Sequence, residues 1–201
     1  LQYFAIFIFI GITLWDFFNK SLLQSVKVIK SNKPIVSKVY IPKFILIFVK
    51  MGVNGFKMFI SLLIVVAMMI VWRVPVTWNV LYFIPILMTL VVIVFGFSCF
   101  LLHYGVFVED LSNVLNIALR FLFYLTGVFW NIMDRLPAPY NKYIGRGNPI
   151  AFLITSTRDC LIYGKTPHRK LLLLWFIIGL VISIFGVRKI YKNENSYVKV
   201  I

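Results

Sequence analysis

Long apolar runs separated by short polar segments dominate the chain. At about 1.5 Å of rise per residue, about 20 apolar residues cross a hydrocarbon layer roughly 30 Å thick. Five runs qualify, at residues 1–18, 44–72, 78–102, 111–133 and 171–187. The second carries Lys50 and Lys57, and the fourth carries Arg120. Pro85, near the start of the third, is tolerable in a membrane helix. His168-Arg169-Lys170 and Arg188-Lys189 flank the last run as interfacial anchors. Barrel strands would need short alternating segments, so the pattern predicts an all-α integral membrane bundle with five visible spans.

The segments between the runs differ in character. Over residues 20–30, Leu22, Leu23, Val26 and Ile29 recur at helical spacing between Lys20, Lys27 and Lys30. Ser31-Asn32-Lys33-Pro34 then breaks the helix. A short apolar stretch from 35 to 41 precedes Pro42. The longest connection covers residues 134–169, punctuated by Leu136-Pro137-Ala138-Pro139 and Gly145-Arg146-Gly147-Asn148-Pro149. Within it, residues 150–163 have the character of a short helix at the membrane interface. The chain opens at Leu1 inside an apolar run, without a basic segment before it, which is the pattern expected of a chain whose upstream part is missing.

Composition sharpens this picture. The chain has 201 residues, 61% of them hydrophobic and 13% charged, with a mean hydropathy of +0.93. Soluble domains average about 45–50% apolar and about 25% charged. Disorder is excluded by the hydrophobicity, and a disulfide scaffold by the presence of only two cysteines. The net charge is +15, from 21 Lys and Arg against 6 Asp and Glu. Sorted by side, Lys20, Lys27, Lys30, Lys33, Lys38, Lys43, Arg188, Lys189, Lys192 and Lys199 oppose Arg73, Arg135, Lys142, Arg146, Arg158, Lys165, Arg169 and Lys170. That near balance leaves the positive-inside rule without a decision. It also disfavours nucleic acid as the partner, because the charge is divided between two sides of a membrane.

Catalytic chemistry finds little support in the residues. No glycine-rich phosphate cradle of the G-x-x-x-x-G-K-[ST] type occurs. His103, His168, Cys99 and Cys160 lack metal-ligand spacing. The six carboxylates are scattered, and the one adjacent pair, Glu109-Asp110, reads as a solvated helix start.

The charges inside spans are more informative. Lys43, Lys50 and Lys57 repeat every seven residues, so they share one helix face, with Asn54 on the same side. Ionisable groups within a bilayer are costly and usually face a bundle interior or a wet cavity. Lys43 and Lys50 have the alternative of snorkelling to the headgroups; Lys57, two turns further in, does not share it. Arg120 lies near the middle of the fourth run, close to Phe121, Tyr124 and Phe129. Aromatic faces suit sugar rings, although lipid-facing or packed aromatics are the commoner case. Lys50, Asn54, Lys57, Arg120, Phe121, Tyr124 and Phe129 are therefore the candidate lining of a conduit for something anionic or for lipid headgroups.

Four stretches, taken in order, resemble the permease subunits of type-2 ABC exporters of lipid-linked cell-surface polysaccharides, closest in character to those for teichoic acid. Leu14-Trp15-Asp16-Phe17-Phe18-Asn19-Lys20-Ser21 is similar to the family's Trp-x-Phe-Phe segment. Lys38-Val39-Tyr40-Ile41-Pro42-Lys43 resembles its Lys-Val-Tyr-(Phe/Ile)-Pro turn. Val106-Phe107-Val108-Glu109-Asp110 resembles a Phe-Phe-Arg-Asp motif, with Glu109 standing where the family has Arg. Phe123-Tyr124-Leu125-Thr126-Gly127-Val128-Phe129, followed by Leu136-Pro137 and Asn148-Pro149, resembles the end of the fifth helix and the loop after it.

The resemblance implies a single permease domain over 1–201, with a sixth span upstream and both termini in the cytoplasm. It implies a cytoplasmic coupling helix within segment 20–43, where Ile35, Val36, Lys38, Val39 and Tyr40 would contact an ATP-binding cassette subunit. It implies that residues 134–169 form an extracytoplasmic gate loop with re-entrant helices. Two permeases with two ATPases would work together, and ATP and Mg would be bound by the ATPase, leaving no cofactor in this chain. The resulting expectation is a transport subunit, not an enzyme, set as a multi-pass protein among the lipids of a bacterial cytoplasmic membrane. Its cargo would be a lipid-linked anionic glycopolymer, teichoic acid first. O-antigen or capsular polysaccharide is the alternative cargo. A membrane enzyme acting on lipid-linked sugars and a non-transporting anchor are the alternatives of other classes.

Overall fold

The computed structural model describes residues 3–36, 38, 41–132, 137 and 140–200. The architecture is all-helical among them. Helix α1 (Phe4–Ser31) is a single rod. It fuses the first apolar run with the periodic segment after it, because Asn19, Lys20 and Ser21 are polar without breaking a helix. Asn32 ends it by donating from Nδ2 to the Val28 carbonyl at 2.7 Å. The short α2 (Lys33–Val36) follows, and α3 (Lys43–Val71) begins directly after Pro42. A 3₁₀ turn at Trp78–Tyr82 leads into α4 (Phe83–Phe107), with Pro85 in the first turn, where its missing N–H breaks no ladder bond.

Helix α5 (Leu111–Leu125) departs from expectation. The apolar run continues to 133, but the helix stops after 15 residues, about 22 Å, short of a full crossing. Gly127 is the cause: its φ of +64° lies in the left-handed region. A Cβ there would come within 2.6 Å of Ile132 and 2.8 Å of the Trp130 carbonyl. Four helices, not five, are therefore long and apolar enough to cross a membrane among the described residues: Phe4–Ser31, Lys43–Val71, Trp78–Phe107 and Arg169–Glu194. The chain is a multi-pass helical membrane protein.

Among the described residues of the long connection, two shorter helices form, α6 (Tyr140–Gly147) and α7 (Pro149–Leu161). Asn148 caps α7 by accepting from the backbone N–H groups of Ile150 and Ala151, with Pro149 preset for the first turn. Helix α8 (Arg169–Val200) then runs 32 residues, far past the expected limit at 187, so the basic tail continues the same rod.

The long helices alternate in direction. The end where α1 begins, with the 3₁₀ turn, α6 and α7, is the upper end. The lower end holds the end of α1, α2 and the last turns of α4 and α8. Helices α4 and α8 form the most extensive pair, and α1 packs across α3 and α4. Small residues let α4 and α8 approach closely. Gly96 faces the Ser183 backbone, Gly186 faces Cys99, and Ser183 Oγ donates to the Val92 carbonyl at 3.0 Å. Cys99 and Cys160 are both buried and free, on separate elements. Helix α3 keeps much of its apolar surface open, including Phe48, Phe56, Phe59 and Leu63, as a lipid-facing element does.

A side chain at Gly186 would meet Cys99 Cβ at 2.6 Å, whereas Gly52 has open space around it. Gly186→Leu is expected to destabilise the protein by about 1–3 kcal/mol through overpacking. Gly52→Leu leaves stability unchanged or slightly higher. Thermal unfolding of both variants in detergent measures the contrast, and equal melting temperatures would refute the close-packed seam.

Candidate functional site

The Trp15-Asp16-Phe17-Phe18 stretch organises the polar interior of the membrane region. Trp15 is buried, with its ring 5.4 Å from both Phe18 and Phe123, and so holds α5 against α1. Phe17 and Phe18 are buried as well. Asp16 alone of the four turns to polar surroundings, paired with Lys20 at 2.5 Å one turn along α1. At about half exposure on each side, that pair contributes little to stability. Lys20 lies within α1, which continues unbroken through the periodic segment 20–30.

Two concavities meet at Asp16. One, of about 90 Å³ between α1 and α3, is bordered by Thr13, Asp16, Lys20, Asn54, Lys57 and Ser61. The other, of about 440 Å³ between α1 and α5, is bordered by Asp16, Asn19, Asn116, Arg120, Tyr124 and Phe129. Five of the seven expected pathway residues thus fall around one carboxylate: Asn54 and Lys57 on one side, Arg120, Tyr124 and Phe129 on the other. Lys50 and Phe121 border neither concavity, and Phe121 is 70% exposed on the outer face of α5.

Asn54 has a structural duty too. Its Nδ2 donates to Ser21 Oγ at 3.2 Å and to Gln24 Oε1 at 3.1 Å, tying α3 to α1. Its Oδ1 is buried, makes no hydrogen bond, and belongs to the residue bordering the smaller concavity. Lys57 and Arg120 are exposed and have no ion pair among the described residues. Each concavity sets a cation beside the Asp16 carboxylate, Lys57 in the smaller and Arg120 in the larger, where Tyr124 and Phe129 add aromatic faces. Asp16 went unrecognised in the sequence as the junction, although it sat inside the quoted Trp-x-Phe-Phe segment.

Lys43, for which the sequence leaves both snorkelling and a bundle-interior position open, is buried. Its side chain is 2% exposed and lies 3.6 Å from Glu194, itself 9% exposed, on α8. Among the expected ATPase contacts, Ile35 is 48% exposed and Lys38 is exposed, while Val36 is 5% exposed and packs into the core. Val36 is therefore corrected from a surface contact to an anchor of α2, because its side chain fills the bundle. Val39 and Tyr40 lie outside the described residues, as does most of the 133–139 stretch.

At the upper end the outstanding feature is Arg158, 3% exposed on α7. Its guanidinium donates to three backbone carbonyls: Nε to Phe7 at 3.1 Å, Nη1 to Gly127 at 2.9 Å, and Nη2 to Val128 at 2.6 Å. It also lies over the Phe7 ring, 3.5 Å from the centroid. Burial pushes Arg158 down from its ordinary value, and Tyr163 and Asp159 oppose that shift. The donor-only guanidinium matched to three acceptors keeps the charged form in place. Asp159 is raised by its own burial, against the pull of Lys165 and Arg158. Gly11 leaves room for this fork, since a Cβ there would collide with Arg158 Nη2. In the sequence Arg158 counted only as one basic residue of a long loop. No spacing rule would have singled it out.

Arg158→Lys removes the fork and leaves buried carbonyls unpaired. It is expected to destabilise the protein by about 3 kcal/mol, read as a lowered melting temperature in detergent. A variant within about 0.5 kcal/mol of the parent would refute the fork as a structural joint.

No family model matches the chain. It is similar to two O-antigen export system permease proteins named RfbA from Klebsiella pneumoniae, at 21% and 22% identity over 199 residues. Each alignment covers 98% of this chain and 76% of the relative.

Proposed function

We propose that the chain is the permease subunit of an ABC-type exporter of lipid-linked cell-surface polysaccharide, working in a bacterial cytoplasmic membrane. The observation that carries this reading is similarity to two export permeases along nearly the whole chain. It favours a transport subunit over an enzyme and brings with it an ATPase partner and a polysaccharide cargo. ATP hydrolysis then belongs to the partner, and a second copy of the permease completes the assembly.

The cargo is read from the concavities beside Asp16. Cationic Lys57 and Arg120 with aromatic Tyr124 and Phe129 suit an acidic glycopolymer carried stepwise past mobile charges. The relatives export O-antigen, and that cargo fits the similarity at least as well as teichoic acid does. The phosphate-rich polymer is favoured by the basic lining alone.

Reconstitution with the partner ATPase separates the two cargoes. Lys57→Gln and Arg120→Gln are expected to cut export of a phosphate-rich polymer about tenfold each, and to leave a neutral polymer within about twofold. Equal loss for both polymers would favour the O-antigen reading, and no loss for either would overturn the pathway.

The exposed Ile35 and Lys38 are the proposed contacts with the ATPase. Ile35→Asp is expected to reduce copurification of the ATPase by about fivefold or more while the permease stays folded. Undiminished copurification would remove the segment from the interface.

A further inference from the structure

At the lower end, α3 begins with a buried cation held by α8. Lys43 Nζ donates to the Ile41 carbonyl at 3.0 Å and lies 3.6 Å from the Glu194 carboxylate. The Phe44 ring packs 5.6 Å from Tyr191, and His103 Nδ1 meets the Tyr197 hydroxyl at 2.8 Å. The last turns of α8 are therefore fastened both to α4 and to the residues that lead out of α2. A buried ion pair is a weak source of net stability, because desolvation offsets most of the attraction. Its geometry is demanding, however, so it registers one element against another.

The other end of α8 is fastened as well. Trp175 Nε1 donates to the Arg146 carbonyl at the end of α6 at 3.2 Å, and Arg169 lies 5.1 Å over the Tyr82 ring. Between these fastenings, Gly96, Gly186 and Ser183 lock α8 onto α4. From Trp175 to Glu194 the rod spans about 28 Å. A close-packed helix pair of this kind moves as one body instead of bending to absorb a displacement.

We propose that the ion pair between Lys43 and Glu194 is a positioning joint, through which α2 and the start of α3 move the α4 and α8 pair and so shift α6 at the far end. The inference rests on the proposed export function and adds a route by which hydrolysis on one side reaches the long connection on the other. Lys43 and Glu194 touch neither cargo nor nucleotide in this scheme. Their effect is on the ratio of export to hydrolysis.

The test uses the complete permease and ATPase complex in vesicles of phosphatidylethanolamine and phosphatidylglycerol, measuring basal hydrolysis and polymer exported per ATP. Glu194→Gln and Trp175→Phe are each expected to keep basal hydrolysis within about twofold and to lower polymer per ATP at least about threefold. The exchange of Lys43→Glu with Glu194→Lys is expected to restore most of that ratio. The combination of Glu194→Gln and Trp175→Phe should fall no further than the worse single variant, as two fastenings of one rod require. An unchanged ratio in Glu194→Gln, or additive losses in the combination, overturns the joint. Should the Glu194 variants fail to fold, Trp175→Phe decides by itself, since it lies remote from the pair and an unchanged ratio there also overturns the proposal. Failure of the parent chain to bring down any ATPase would instead refute the export reading, so the two failures are distinct.

Discussion

The Arg158 fork is the constraint around which the upper half of the molecule is built. One buried guanidinium satisfies carbonyls from the start of α1 and from the turn after α5, and its own position is set by α7. Those three pieces come from residues 7, 127–128 and 158, so the fork joins positions 151 residues apart as well as positions 31 and 30 apart. It succeeds because each partner supplies a matching local feature: Gly11 removes a side chain, and Gly127 turns a carbonyl towards the arginine. In a low-dielectric setting such a charged group is tolerated only when it is hydrogen-bonded, and each of the three guanidinium nitrogens donates to a carbonyl. The same contact explains why α5 ends early, since the turn that feeds carbonyls to Arg158 takes the place of its last expected turns.

The shortened α5 in turn shapes the candidate site. Held on α1 by Trp15 and Phe123, it leaves a concavity beside Asp16 instead of a closed helix seam. Helix α3 closes against the opposite side of Asp16 only partly, with Asn54 as the tie and Lys57 at the rim. One acidic residue therefore stands between two cationic walls. Under the proposed export function, charges of both signs along this segment would offer an acidic polymer several weak positions, which permit passage where a single deep site would trap.

The buried charges at the two ends play different parts. Arg158 meets backbone carbonyls, which do not titrate. Lys43 meets a carboxylate on another helix and a carbonyl at the end of the segment after α2. The first contact locks, and the second registers one body against another. Between them lies the glycine-lined seam of α4 and α8, the most extensive helix pairing among the described residues.

The apolar runs by themselves determined the membrane class, the helical architecture and the order of the long helices, because length and hydropathy are local quantities and the bilayer imposes a single threshold on them. They also determined the breaks at Asn32 and Asn148, where side-chain caps and proline act within a few residues. Tertiary structure decided the rest. Hydropathy over 111–133 is blind to the left-handed turn at Gly127, whose use depends on a partner at 158. The heptad of Lys43, Lys50 and Lys57 put three lysines on one face, but only the packed bundle distinguishes the one buried against Glu194 from the one beside Asp16. Asp16 and Arg158 owe their importance to neighbours far away along the chain. A pattern that repeats within one helix cannot encode a contact whose other half lies on a different helix.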